Sequence, residues 1–330
     1  MQKKRMVFIS VLLVFALGSS LWAAGATEQK QQEAWPSRPV TLIVPYAAGG
    51  GTDVVARLIA DDLQREYGMP FNVVNRDGGG GVVGHNAIST AEPDGYTIGL
   101  ATFSLTTYKW FGSSNVTYEN FTPIALFNID STAILVNEKS PYQNLGQLID
   151  AIRANPNTLK MATPMGAGHH LAFSNLLDKL DIDPNTVTTV PVTGGAVIIQ
   201  ELAANGVDIG PSTLPESVGM IQAGKVRPLA TLSKERSSAF PDVPTVKEAV
   251  GIELIGGTWR GLVAPKNMDK EIVDKLSASI KRIYDSSSFQ DVMNKRGYGL
   301  TYLNSQDFYS FMKDMHEANG IILKKIGLIK

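Results

Sequence analysis

The stretch from Val40 to Arg57 reads VTLIVPYAAGGGTDVVAR. Its β-branched and apolar beginning predicts a buried strand over Thr41 to Val44, and Pro45 ends that strand. Gly49 to Gly51 then predict a tight turn, because glycine allows backbone angles and close approaches that a side chain would prevent. A ligand could therefore touch the main chain at this turn.

The residues after the turn predict a helix. Thr52 or Asp53 can cap its N-terminus. Free backbone N–H groups at such a helix start, together with the helix dipole, favour a carboxylate or another anion. A tight connection without a ligand is an alternative interpretation of the same glycines. Apolar side chains recur at helical spacing along this segment, at Val54, Val55, Leu58, Ile59 and Leu63.

The first 26 residues have the pattern of an export signal. Three basic residues at positions 3–5 precede an apolar run from Met6 to Leu17, and small residues follow as far as Ala26. The run is shorter than the roughly 20 residues that span a membrane. We therefore expect a cleavable signal peptide over 1–26, a polar lead-in over 27–34 and a periplasmic or other extracytoplasmic location.

Composition excludes several classes of function. The chain has no cysteine, which excludes disulfides, thiolate metal sites and cysteine catalysis. Cleavage of the signal would leave 27 basic against 31 acidic residues, a net charge of −4 that argues against nucleic acid. The four histidines show no zinc spacing, and the motifs of serine hydrolases and nucleotide triphosphatases do not occur. We expect no metal and no cofactor.

The remaining chain is about 300 residues long, which favours two domains. Strand and helix patterns alternate without a repeat, and this alternation predicts an α/β fold. Strands are predicted at Phe71–Val74, Tyr96–Ala101, Ala133–Val136, Leu159–Ala162, Val187–Val192 and Val207–Gly210. Further helices are predicted at Gly84–Thr90, Asn144–Ala154, Asp269–Asp285 and Ser305–Lys324.

Several separated motifs, in this order and spacing, resemble the substrate-binding proteins of tripartite tricarboxylate transporters, also called the Bug family. The resemblance covers nearly the whole chain after the signal. The first motifs are Pro45–Gly50, Thr52-Asp53, Asn75-Arg76, Gly78–Gly81 and Pro93–Thr97. The later motifs are Gly194-Gly195, Val207-Asp208, Gly224–Arg227, Pro241–Thr245 and Trp259.

This resemblance implies the two-domain fold of type II periplasmic binding proteins, with a ligand cleft between the domains. Domain I would comprise 35–132 and 258–330, and domain II 133–257. The protein would capture a small organic acid, di- or tricarboxylate-like, and deliver it to integral membrane permease subunits without catalysing a reaction. No coiled-coil pattern occurs, so we expect a monomer.

Three loops are expected to hold the ligand, namely Tyr46–Asp53, Thr163–Gly168 and Thr193–Ala196. No arginine lies within them, so we predict that backbone N–H groups bind the anion. Asp53 would contribute as a helix cap and through a water bridge, with pure capping as the alternative. The ligand-binding residues that we predict are Tyr46, Ala48, Gly50, Gly51, Thr52, Asp53, Ser104, Thr163, Met165, Gly166, Gly194 and Gly195.

The chain departs from the family pattern in two places. His169 directly follows the second loop, where the family commonly has serine or threonine. Val192 and Thr193 precede the glycines of the third loop, where the family usually has an aromatic residue and a lysine. The first departure removes the residue expected to give a hydroxyl contact, and the second suggests an altered ligand preference.

Some residues have two possible interpretations. Gly79, Gly81 and Gly84 match G-x-G-x-x-G after a strand, so an exported NAD-dependent oxidoreductase is the alternative function. His169-His170 is a helix start or a metal site, and the first fits better because adjacent residues on a helix point in different directions. Asp208 is a turn residue or a ligand contact. Trp259 lines the hinge or cleft, or packs between the domains.

Overall fold

The apolar run before the glycine turn forms strand β1, which is an inner strand of the largest sheet. The computed structural model describes residues 35–329, and the chain from Trp35 onward packs as one compact unit. The strands are β1 (Val40–Val44), β2 (Phe71–Asn75), β3 (Thr97–Thr102), β4 (Phe121–Ser131), β5 (Ala133–Asn137), β6 (Lys160–Thr163), β7 (Thr188–Pro191), β8 (Gly210–Ser212), β9 (Val226–Thr231), β10 (Gly257–Pro265) and β11 (Leu300–Leu303).

The helices lie between these strands and after them. They are α1 (Gly51–Tyr67), α2 (Val82–Ser89), α3 (Tyr108–Phe111), α4 (Leu145–Ala154), α5 (Gly168–Lys179), α6 (Gly195–Ala203), α7 (Leu214–Gln222), α8 (Val246–Val250), α9 (Lys270–Asp285), α10 (Ser287–Arg296) and α11 (Ser305–Lys325). No helix among residues 35–329 is long and apolar enough to cross a membrane.

A six-stranded mixed sheet has the order β11-β4-β10-β3-β1-β2. β1 pairs in parallel with β2 and β3, whereas β10 runs antiparallel to β3 and β4. One face packs against α1 and α9 through side chains such as Leu42, Ile59 and Ile280. The other face packs against α11 through Trp259 and Phe308. Apolar side chains therefore cover both faces, as in a helix–sheet–helix sandwich.

Two smaller sheets form the rest of the described chain. β5 lies between β8 and β9 in an antiparallel sheet, and β6 pairs in parallel with β7. A bridge between Met161 and Ile209 joins β6 to the segment before β8. We call the elements around the six-stranded sheet the large lobe, and strands β5–β9 with helices α4–α8 the small lobe.

The chain passes between the lobes at two adjacent points. It leaves β4 through Thr132 and returns through Gly256 to β10. The Thr132 N–H donates to the Gly256 carbonyl at 2.9 Å, and the Leu232 N–H donates to the Thr132 carbonyl at 2.7 Å. These points lie beside the domain boundaries predicted at 132/133 and 257/258, which stay a prediction.

The mixed α/β architecture confirms the fold class, and two local predictions are wrong. Helix α1 begins at Gly51 with Gly50 as its N-cap, so neither Thr52 nor Asp53 caps it. The extended Gly50 already ends the turn, and both polar residues lie within the first helical turn. The strand predicted at Val207 begins only at Gly210, and the preceding Asp208 and Ile209 bond to Lys160 at the start of β6. The predicted signal peptide and lead-in lie outside the described residues.

Candidate functional site

A small cavity lies where the two lobes meet. Its volume is about 30 Å³. The large lobe lines it with Tyr46, Gly50, Gly51, Thr52, Thr258 and Arg260. The small lobe lines it with Pro164, Ala167, His169, Gly194, Gly195 and Glu216. We call this cavity the cleft pocket.

Larger cavities occur elsewhere on the described chain. One of about 670 Å³ lies on the small lobe beside Asn137 and Lys225. Another, of about 340 Å³, is mainly apolar and lies beside Trp259 and Ile255. Neither contains the start of α1 or α6. The cleft pocket is the better candidate because it gathers the starts of α1 and α6, one from each lobe.

Helices α1, α5 and α6 begin at the cleft pocket without a capping side chain. Their N-caps are Gly50, Ala167 and Gly194, and none of these three has a side-chain cap hydrogen bond. Side-chain caps do occur on helices α4, α7, α8, α9, α10 and α11, from Asn144, Thr213, Thr245, Asp269, Ser286 and Asn304. Helices α2 and α3 also lack a side-chain cap, but they begin elsewhere. The starts of α1, α5 and α6 direct available N–H groups and positive dipole ends toward the cleft pocket.

Arg260 connects the two lobes at the base of the cleft pocket. Its Nη2 lies 2.6 Å from Glu216 Oε1, and its Nη1 also contacts Asp130. Nη1 donates to Asn128 Oδ1 at 2.5 Å, and Nε donates to Thr52 Oγ1 at 3.1 Å. All three charged side chains are at most 5% exposed. One buried cation is therefore shared between two buried carboxylates, which compensates part of the cost of burying them.

Burial determines the charge states around this ion cluster. It raises the pKa of Asp130, although Arg260 opposes that shift. Burial lowers the pKa of His169, against the opposing effect of Glu216, so this imidazole is neutral at pH 7. Burial also favours the neutral form of Arg260, but the carboxylates of Asp130 and Glu216 outweigh it and raise the pKa of the guanidinium. Arg260 is thus the cationic side chain of the pocket.

Two glycines of the site lie directly against Glu216. A Cβ built on Gly51 would lie 2.2 Å from Glu216 Oε1, and one built on Gly195 would lie 2.3 Å from Glu216 Oε2. Real Cβ atoms do not approach so closely, so a side chain at either position would displace the carboxylate. These glycines therefore leave room for a carboxylate between the starts of α1 and α6.

Half of the predicted ligand-binding residues line the cleft pocket, namely Tyr46, Gly50, Gly51, Thr52, Gly194 and Gly195. The others do not line it. Asp53 pairs with Arg57, and the Ser104 hydroxyl lies 2.7 Å from the Tyr46 hydroxyl, behind the pocket wall. The Gly166 carbonyl accepts from Thr107 Oγ1 at 2.6 Å.

Three more of the predicted residues do not line the pocket, namely Ala48, Thr163 and Met165. Ala48 is exposed, and so is Met165, with 42% of its surface accessible. The Thr163 hydroxyl is buried and has no hydrogen-bond partner in the described chain. The roles of all twelve residues in binding stay a prediction.

The sequence analysis did not identify Arg260 or Glu216 as site residues. A charge inside the apolar segment TWRGLVAP was a signal for Arg260, because a buried arginine requires partners. Glu216 had no such signal, since an acidic residue in the first turn of a helix is ordinary. Its position in the pocket follows from the packing of α7.

Several residues for which the sequence allowed two interpretations have structural roles in the fold. His169-His170 lies at the start of α5, as predicted. Asp208 accepts from the Lys160 N–H at 2.8 Å and lies outside the cleft pocket. Gly84 packs so closely on Pro45 that a Cβ would lie 2.4 Å from Pro45 Cα. No group of three potential metal-binding side chains occurs within the described part of the chain.

Known proteins resemble this chain in sequence and in fold. Residues 55–328 match the model of the tripartite tricarboxylate transporter family receptor, TctC. A UPF0065 protein in the gbd 5′ region of Cupriavidus necator is 30% identical over 334 residues, which cover 99% of both chains. The structure of the periplasmic binding protein BugD has a TM-score of 0.83 at 29% identity, covering 90% of this chain and all of that one.

Two similar structures hold named ligands. A Rhodopseudomonas palustris protein with adipate has a TM-score of 0.82 at 27% identity, covering 89% of this chain and 98% of that one. MatC from the same organism, with bound malate, has a TM-score of 0.80 at 26% identity, covering 88% and 100%. The chain therefore belongs to the tripartite tricarboxylate transporter receptor family, a family of extracytoplasmic solute receptors rather than enzymes.

Proposed function

We propose that this protein captures a small organic acid, di- or tricarboxylate-like, in the cleft between its lobes and delivers it to a membrane transporter. The observation that carries the proposal is the meeting of three uncapped helix starts at one pocket. Helices α1, α5 and α6 present N–H groups that no capping side chain occupies. Such N–H groups, with their dipoles, bind carboxylates.

The ligands of similar proteins support the same class of solute. Adipate and malate, held by the two R. palustris proteins, are both dicarboxylates. Both lobes contribute to the pocket, with Gly50 and Gly51 from one and Gly194 and Gly195 from the other. A ligand between them would be enclosed by the lobes, which correspond to the proposed domains 35–132 with 258–330, and 133–257.

A thermal-shift screen against di- and tricarboxylates tests this proposal. A bound acid at about 100 times its dissociation constant should stabilise the fold by about 2.7 kcal/mol. The proposal would be contradicted if none of the organic acids stabilised the protein. NAD(H) belongs in the same screen, because stabilisation by NAD(H) alone would favour the dehydrogenase alternative.

We propose that the receptor works as a periplasmic or otherwise extracytoplasmic monomer and that its partner is a set of integral membrane permease subunits. Light scattering of the purified protein should give the mass of one chain. Pull-down from detergent-solubilised membranes of the source cells, with a stabilising acid present, should recover an integral membrane protein. Failure to recover one in the presence of ligand would contradict the permease partnership.

A further inference from the structure

The side chain of Glu216 lies between the starts of two helices that belong to opposite lobes. Its carboxylate is so close to Gly51 of α1 and Gly195 of α6 that a Cβ on these glycines would lie 2.2 and 2.3 Å from its oxygens. Only 5% of the side chain is exposed. The positive dipole ends of the two helices favour an anion at this place. Glu216 supplies that anion from within the protein.

Each partner of the Arg260–Glu216 ion pair is also held inside its own lobe. Arg260 donates to Asn128 Oδ1 at 2.5 Å and pairs with Asp130, both in the large lobe. Glu216 accepts from Ser212 Oγ at 2.9 Å within the small lobe. The contact of 2.6 Å between Arg260 Nη2 and Glu216 Oε1 joins the two lobes. Separation of the lobes would therefore break this contact and leave both groups with other partners.

The carboxylate of a ligand and that of Glu216 cannot occupy this place together. The cleft pocket has a volume of about 30 Å³, and like charges in a weakly screened site repel each other strongly. Arg260 supplies one positive charge, which Asp130 and Glu216 already share. His169, at 3.9 Å from Glu216, is neutral at pH 7 because burial lowers its pKa. An acid can therefore bind here only if Glu216 leaves this place.

Given the carboxylate receptor proposed above, we propose that Glu216 is an internal substitute for the ligand carboxylate and competes with it. When the lobes close on Glu216, its pair with Arg260 fills the site and holds the cleft shut. When an acid binds, the ligand carboxylate takes the place beside the helix starts, and Glu216 moves away from Arg260. The ion pair thus lowers the affinity for organic acids and gives the receptor a closed form that needs no ligand.

Measurements of the distance between the lobes test this closed form without any ligand. The chain has no cysteine, so Gln64→Cys on α1 and Gln200→Cys on α6 provide two unique sites for spin labels. Both glutamines are exposed, and they lie on opposite lobes. With Glu216 intact, the labelled protein should show a main population at a long distance and a minor one at a short distance. Glu216→Gln and Glu216→Ala should reduce the minor population at least threefold, because neither side chain forms the ion pair with Arg260.

Calorimetry with L-malate, adipate and citrate at pH 7.5 tests the competition. At least one of these acids should bind Glu216→Gln at least tenfold more tightly than wild type, because its carboxylate no longer competes with Glu216 for Arg260. Glu216→Ala should also bind that acid more tightly, since its short side chain leaves the place open. A residue that held the ligand directly would give the opposite sign. Glu253→Gln changes an exposed carboxylate that pairs with Lys247, and it should leave the affinity unchanged.

The two measurements separate the role of Glu216 from the receptor function. Equal or weaker binding of the acids by both Glu216 variants would overturn the competition. Absence of the minor population with Glu216 intact, or its persistence in both variants, would overturn the closed form. If none of the three acids bound to any of the proteins, the carboxylate receptor itself would be contradicted, and the distances would still decide whether Glu216 closes the cleft.

Discussion

The guanidinium of Arg57 holds the carboxylate of Asp53 through two hydrogen bonds, from Nε to Oδ2 at 3.0 Å and from Nη2 to Oδ1 at 2.9 Å. The same carboxylate accepts the Gly49 N–H at 3.0 Å and Asn75 Nδ2 at 3.0 Å. Burial alone would raise the pKa of Asp53, but these hydrogen bonds outweigh it and lower the pKa. Asp53 is therefore a charged anchor of the glycine turn.

Asp53→Ala should weaken ligand binding about tenfold, equivalent to about 1.4 kcal/mol. The substitution leaves the Gly49 N–H and Arg57 without their acceptor, so the turn before α1 loses its fixed shape. An argument from charge alone gives the opposite sign, because removing a negative charge should favour an anion. Calorimetry with an acid found in the screen decides between the two, and tighter binding by Asp53→Ala would contradict our expectation. Asp53→Asn keeps an acceptor and should have a smaller effect.

Gly50→Val should reduce affinity at least tenfold by filling the space beside the helix starts. A Cβ on Gly50 would meet no atom closer than 3.6 Å, so the variant should fold. Gly195→Val should lower affinity as well, but it would also collide with Glu216. Gly50→Val is therefore the clearer test. Gly219→Ala, where a Cβ meets nothing within 4 Å, is the matched control. Unaltered affinity in Gly50→Val would remove this turn from the site.

Arg260→Met should destabilise the protein by about 3–5 kcal/mol, because it leaves Asp130 and Glu216 buried without a counter-charge. Urea unfolding measures this loss. Adding Glu216→Gln to Arg260→Met should restore part of the stability, since one uncompensated charge disappears. If the double variant were less stable than Arg260→Met by the full cost of Glu216→Gln alone, the two residues would not be coupled.

His170→Asn should make stability less sensitive to acid. Burial lowers the pKa of His170 from 6.5 to about 4, so the unfolded chain binds the proton before the folded protein does. Stability is therefore lost as the pH falls from 6.5 toward 4. Between pH 7.5 and 5.0, wild type should lose about 2 kcal/mol more than the variant.

Asparagine suits this test because its side-chain oxygen can still accept the Gly166 N–H, which His170 Nδ1 accepts at 3.2 Å. Urea unfolding at both pH values gives the two differences in free energy. An identical loss in both proteins would mean that His170 is not held neutral in the fold.

We predict that the free protein is mainly open in solution and that ligand closes the lobes about the crossings at Thr132 and Gly256. Each lobe supplies part of the pocket, so the closed form gains contacts that an open form lacks. Small-angle scattering should show a smaller radius of gyration when an acid from the screen is added. An unchanged radius in a sample with confirmed binding would contradict closure.

The sequence by itself determined the alternation of strands and helices and the position of the principal glycine turns. These features are local, because a short apolar run, a set of glycines and a helical repeat each act within a few residues. This local pattern was enough to assign Tyr46, Gly50 and Gly51 to the pocket, because the turn between a strand and a helix is exposed at the carboxyl end of the strand. Gly194 and Gly195 were assigned to the site through the resemblance to the receptor family, whose third loop they match.

Only the tertiary structure decided which charges enter the site. Arg260 and Glu216 are 44 residues apart in the sequence. They meet because Arg260 lies on β10, between β3 and β4 of the large lobe, and Glu216 lies on α7 of the small lobe, which faces it across the cleft pocket. No local pattern specifies that meeting. The Asp53 carboxylate is likewise held in part from a distant strand, since Asn75 of β2 binds it together with the local partners Gly49 and Arg57. Backbone turns are encoded locally, whereas the partners of buried charges are selected by packing.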